Sequence, residues 1–253
     1  MKKLLTLVMC LVLAIGVMGF TACGDSTFKG DYKEIDKEQA AAFAATIDSE
    51  GMALNLQSGI ELEFSMEYGS GSNSYLMEIN VKSAYTAQQQ VEVEGSWKTK
   101  MGGETEKGDV YYADGYAYMN MDGNKIKQAV SYETLFGYVM SNGASSEFMD
   151  IQELIDYLDI EPTSGSVKVY LAEGETENKL KVEFNDFVFE GVKMDGECYF
   201  VYNADGVLTA YKADVEMTEN GMEGSFYMMI KAYDGKVSLP SDLDSYQLGQ
   251  LPL

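Results

Sequence analysis

Period-two alternation in several segments, glycine-bearing dipeptides between them and two amphipathic stretches in mid-chain predict an α+β fold. The expected form is a large curved antiparallel sheet, a half-open β-barrel, with helices covering the concave face. Leu62, Phe64, Met66 and Tyr68 alternate with Glu61, Glu63, Ser65 and Glu67, the pattern of a strand with one wet and one covered side. Met77, Ile79 and Val81 among Glu78, Asn80 and Lys82, then Val91, Val93 and Trp97 among Glu92, Glu94 and Lys98, predict two more strands. Asp114-Gly115, Asp122-Gly123, Asp195-Gly196, Asp205-Gly206, Asn220-Gly221 and Asp234-Gly235 stand between apolar runs. Such dipeptides supply the positive φ of tight hairpins. Further strands are expected at 167–171, 180–189, 196–202, 207–217 and 224–233. About ten strands in one sheet curl through their own twist, leaving a hollow lined by inward side chains.

The helices follow from caps and stripes. Asp36, with Gln39 three residues on, precedes an alanine-rich run and predicts a helix over 37–47. Residues 131–140 carry Leu135, Phe136, Val139 and Met140, and residues 147–159 carry Phe148, Ile151, Leu154, Ile155 and Leu158 on one face. Pro162 bars continuation of the second. The tail, with Pro240 and Pro252, reads as mostly irregular.

At the start of the chain Lys2 and Lys3 lead an apolar run from Leu4 to Val17, and small residues stand ahead of Cys23. This is the layout of a cleavable export segment, too short for the roughly 20 residues of a membrane span. The organisation expected is a signal at 1–22, a small polar tether at 23–30 and one domain over 31–253.

Composition narrows the chemistry. Without the signal the chain keeps 16 lysines against 41 acids, and it has neither arginine nor histidine. Such a balance speaks against nucleic acid, which is held by cationic neutralisation of phosphates, and no metal site or cofactor is expected. Lack of histidine removes the commonest proton-transfer group near neutral pH. Glu61 with Glu63 and Glu92 with Glu94 place acids on common strand faces, but they alternate with core positions like a solvated surface, so no catalytic residues are assigned. Cys10 leaves with the signal, and Cys198, inside an alternating run, reads as a small buried hydrophobe. The acid-glycine pairs lack the clustered acids of a calcium loop, and hairpin geometry accounts for them.

Phe20-Thr21-Ala22-Cys23 resembles the lipobox of bacterial lipoproteins. The resemblance implies cleavage between Ala22 and Cys23, a diacylglyceryl group on the Cys23 sulfur with acyl chains such as palmitate, and a protein held at the outer face of the cell membrane. The segment from Tyr111 to Lys127 and the closing Leu239-Pro240-Ser241-Asp242-Leu243-Asp244-Ser245-Tyr246 are similar to those of LolA-, LppX- and LprG-like lipoproteins, in particular a Gram-positive group. That resemblance implies a curved sheet with helices closing an apolar cavity, no catalysis, and a lipid or lipopeptide as ligand. The residues expected to line the cavity, or to fill a core, are Leu62, Phe64, Met66, Met77, Ile79, Val81, Met119, Met121, Phe226, Met228 and Ile230. Strand methionines suit a surface that repacks around varied guests, and equally suit ordinary core filling. The alternative function is a structural or interaction module that meets a protein partner of the cell envelope and takes no small ligand.

Overall fold

A computed structural model describes residues 26–47, 59–69, 74–132, 134, 162–189 and 191–250. The alternating segments form β2 (Gly59–Tyr68), β3 (Tyr75–Tyr85), β4 (Val91–Met101), β5 (Glu104–Ala113), β6 (Tyr116–Met121) and β7 (Asn124–Ala129). After the mid-chain stretch come β8 (Ser164–Ala172), β9 (Glu177–Phe189), β10 (Val192–Asn203), β11 (Leu208–Glu219) and β12 (Met222–Tyr233). Two short strands, β1 (Lys33–Ile35) and β13 (Gln247–Leu248), complete one open, curved sheet of 13 strands in the order β1-β8-β9-β10-β11-β12-β2-β3-β4-β5-β6-β7-β13. Pairing is antiparallel except between β13 and β7. The pair β12–β2, with Phe226 opposite Met66 and Ile230 opposite Leu62, joins the two halves of the chain. Edge strands of three and two residues offer little backbone for unwanted pairing.

Turn chemistry explains four of the hairpins, at four of the six glycine-bearing dipeptides. Asp114-Gly115, Asp122-Gly123 and Asn220-Gly221 each place both residues at positive φ, as the two-residue type I′ turn requires. Asp205-Gly206 lies in the β10–β11 link, where the Asn203 side-chain oxygen accepts from the backbone N–H groups of Asp205 and Val207. The other two dipeptides depart from expectation. Asp195-Gly196 lies inside β10 opposite a bulge in β9, where the extra residue, Asp186 at φ +47°, shifts the register between Met194 and Gly196 and donates its N–H to the Asp195 carboxylate. Gly196 has φ +137° there. Asp234-Gly235 follows β12 where the chain leaves the sheet.

The alanine-rich run forms α1 (Lys37–Ala44). Its start is the expected capping box: the Asp36 carboxylate accepts from the Gln39 N–H at 2.9 Å, and the Gln39 side chain accepts from the Asp36 N–H at 3.0 Å. The helix stops at Ala44 rather than Ile47, and a turn follows. Phe43 meets Tyr202 edge-on at 5.8 Å, which places α1 on the apolar face. The helices expected at 131–140 and 147–159 lie outside the described residues, apart from Ser131, Tyr132 and Thr134. Tyr132 and Thr134 are helical, and the Tyr132 ring packs 5.8 Å from that of Tyr112, so the described helical cover on the sheet is α1 and this residue.

Both ends of the described chain are tied down. Residues 26–30, expected as tether, pack on the polar face. Ser26–Phe28 is a 3₁₀ turn, Phe28 is buried against Tyr199 with ring centroids 6.1 Å apart, and the Lys179 ammonium donates to the carbonyls of Thr27 and Lys29 at 2.7 and 3.1 Å. The tail, expected as irregular, lies over the polar face of β4–β7. Tyr246 is buried edge-on against Tyr118 at 5.4 Å, Ser238 donates its N–H to Glu94, and Lys125 pairs with Asp242.

Candidate functional site: a half-buried apolar tract

Residues paired across an antiparallel sheet project from the same face, so the register sorts every strand residue to one side. One row runs Val169, Val182, Cys198, Ala213, Met228, Phe64, Ile79, Trp97, Gly108, Met121 from β8 to β6. A second runs Leu180, Phe200, Tyr211, Ile230, Leu62, Val81, Gly95, Val110, Met119. This face is apolar across its width, but its burial changes along the row. Val182, Cys198, Ala213 and Ile230 have no exposed surface and Met228 keeps 1%. From Phe64 onward, Ile79, Trp97 and Met121 are all half-buried.

The sequence-derived set is thereby divided. Leu62, Phe226, Met228 and Ile230 belong to a filled core with Val182, Phe200 and Val215. Phe64, Met66, Met77, Ile79, Val81, Met119 and Met121 are half-buried and form, on the same face, the candidate site. Trp97 and Val110 belong with them and were missed as site residues. Trp97 had a signal, because Gly108 sits in mid-strand opposite it, and a Cβ there would come within 2.8 Å of the indole Nε1. A glycine inside a strand marks such a close approach. Ala22 and Cys23 lie outside the described residues.

The other face is polar and explains the lysine–tyrosine bias of the sequence. Glu34, Tyr170, Lys181, Tyr199, Lys212, Met229 and Glu63 form one cross-strand row. The Lys181 ammonium lies 5.2 and 5.9 Å from the ring centres of Tyr170 and Tyr199, and that of Lys212 lies 5.7 and 5.5 Å from those of Tyr199 and Tyr227. Such cation–π contacts let a lysine stem cover an aromatic ring while its head stays polar. Burial depresses the Lys181 pKa, but its bonds to Glu183 (2.7 Å) and Glu197 (2.9 Å) outweigh this and raise it. Tyr199 is pushed above the usual tyrosine range by burial and by its hydroxyl bond to Glu197 at 2.6 Å. Charges on this face are thus engaged in holding the sheet. Open depressions of about 410 and 290 Å³ between Glu78, Asn80, Ser96 and Asp109 and between Glu63, Lys82 and Glu94 have polar walls. Neither is the apolar hollow expected.

Chemistry of a nucleophilic kind finds no support at Cys198. Cys198 is fully buried and its pKa is pushed up to about 12 by burial, only partly eased by its bond to Tyr211. A soluble form beginning at Gly24 holds Cys198 as its one thiol. Native protein at pH 8–9, where an ordinary thiol is substantially ionised, should react with a thiol reagent at the slow rate of unfolding, and denatured protein at once. Fast native labelling would contradict the burial. Among the described residues, no group of three or more potential acidic or thiol ligands is placed to hold a metal ion.

Fold and site together define a protein built on one open, curved antiparallel sheet, with an apolar face that is filled at β8–β12 and at Leu62, Val93, Tyr112 and Ala117 of β2–β6, and half-buried toward Phe64, Ile79, Trp97 and Met121. No protein family matches the chain, and no curated protein does. Among solved structures it is similar to LprF from Mycobacterium bovis, at 7% identity over 81% of this chain and 97% of that one, with a TM-score of 0.33. It is also similar to a DUF1329 family protein from Desulfovibrio piger (10% identity, 79% and 94% covered, TM-score 0.25). A third is an outer membrane lipoprotein-sorting protein domain from Vibrio parahaemolyticus (10%, 83% and 96%, 0.21).

Proposed function

We propose that this is a lipid-anchored extracytoplasmic protein that binds or carries an apolar ligand, a lipid or lipopeptide, without catalysing a reaction on it. The observation that carries the reading is the change of burial along a single apolar row, from fully buried Met228 to half-buried Phe64, Ile79 and Trp97. Water contact with a continuous apolar strip costs about 25 cal/mol per Å², and a strip rich in methionine adapts to guests of different shape. The alternative, an envelope interaction module with no small ligand, draws on the filled half of the same face.

Trp97, the one tryptophan of the chain, sits in the tract and reports on its occupancy. Dibromostearate added to the soluble form should quench its emission, and Ile79→Glu should abolish the quenching while leaving the circular dichroism unchanged. An unquenched Trp97, together with no acyl chain in a solvent extract of the protein, would remove the apolar ligand and leave the interaction module. For the anchor, Cys23→Ala should release the protein from the membrane fraction and end incorporation of labelled palmitate. Retention of both would sink the lipobox reading.

A further inference from the structure

We propose that the anchor holds the polar face at its β8–β10 corner against the membrane, so that the apolar face is turned away from the bilayer in which the lipid sits. The inference rests on Cys23 as the point of attachment. An eight-residue tether over 23–30 would reach about 28 Å and leave the body free to turn. Instead Phe28 is buried on Tyr199, Tyr32 meets the same ring edge-on at 5.9 Å, and Lys179 clasps the carbonyls on either side of Phe28. Cys23 stands three positions before Ser26, a span of at most about 10 Å.

The point where the chain leaves the body is fixed by the same contacts. Tyr199 and Lys179 both project from the polar face, and Lys179 pairs with Ala172 beside the β8–β9 turn. Charge does not draw this corner to the bilayer, because its turns carry Glu173, Glu175 and Asp205, and acids are repelled by anionic headgroups. The short tether alone holds it there. At the far corner, Asp122-Gly123 of the β6–β7 turn lies at the opposite strand ends and eight strands from β9, about 38 Å along the sheet at the usual strand spacing. A depression of about 470 Å³ between Ala84, Tyr85, Ala232 and Tyr233 opens at the same strand ends as the β8–β9 turn. In this orientation it lies at the membrane-near end, whereas the tract itself faces outward.

The test attaches the chain from Cys23 onward to vesicles of phosphatidylcholine through a maleimide-bearing lipid, which reproduces the tether whether or not the cell adds its own. Cys198 is buried and leaves Cys23 as the thiol that couples. A donor dye on an azide-bearing residue placed at Glu175, or in a second protein at Asp122, transfers energy to an acceptor on the headgroups. Transfer from position 175 should exceed that from 122 several-fold, and a flexible spacer of about twelve residues after Gly24 should erase the difference. Equal transfer without the spacer, or a difference that survives it, overturns the corner attachment. Because coupling is chemical, failure of cellular lipidation appears only in the palmitate experiment and cannot be confused with a wrong orientation.

Discussion

Gly196→Ala is expected to lower stability by about 3 kcal/mol or more, read as a fall in the urea midpoint at unchanged slope. Two costs combine. The φ of +137° at Gly196 is a region that residues with a Cβ occupy only under strain, worth about 1–3 kcal/mol. The added Cβ would also overlap the backbone carbonyl of Asp214 on β11, which cannot move without breaking the ladder. Gly221→Ala makes the control: its φ is +78°, but nothing lies within 4 Å of the new methyl group, so strain is its one cost, about 1 kcal/mol. Similar losses at the two positions would mean that β11 yields beside Gly196 and that the close approach is not a constraint. A domain stable by about 5–15 kcal/mol would be brought well toward its unfolding threshold by the first change alone.

The same residue shows where the sequence stops being readable. Asp195-Gly196 and Asn220-Gly221 look alike as dipeptides between alternating runs, yet one lies in mid-strand opposite a bulge of β9 and the other turns a hairpin. A positive φ at glycine serves both purposes, and partner register decides between them. The strands themselves were legible, because Leu62 to Tyr68 and its counterparts alternate and a one-residue slip would expose the whole apolar set. β1 and β13 were not, since three and two residues hold no period and their pairing comes from the wrapped ends of the chain. Phe28 and Tyr246 gave no local hint of their burial, each being seated by a tyrosine distant in sequence. The candidate site was half-legible for a related reason. Alternation assigns Phe64, Ile79, Phe226 and Met228 to one face, but it cannot say whether that face is filled.

The contrast between Phe226 and Phe64 puts that question to experiment. Phe226 is 2% exposed within the filled core, and Phe226→Ala should cost about 3–5 kcal/mol, the loss of transfer free energy plus the cavity left where neighbours cannot collapse. Phe64 is the same side chain one β2–β12 register step away, opposite Met228, but half-buried. Burying less apolar surface and leaving a space that water can enter, Phe64→Ala should cost about 1–2 kcal/mol. Its larger effect should fall on the quenching of Trp97 by dibromostearate, with affinity down about tenfold, because Phe64 pairs with Ile79 and Ile79 with Trp97 across the tract. Equal destabilisation by the two alanines, with quenching unaltered, would show that the tract is core throughout. The apolar row would then be continuous packing from Val182 to Trp97, and the interaction module would be the reading that remains.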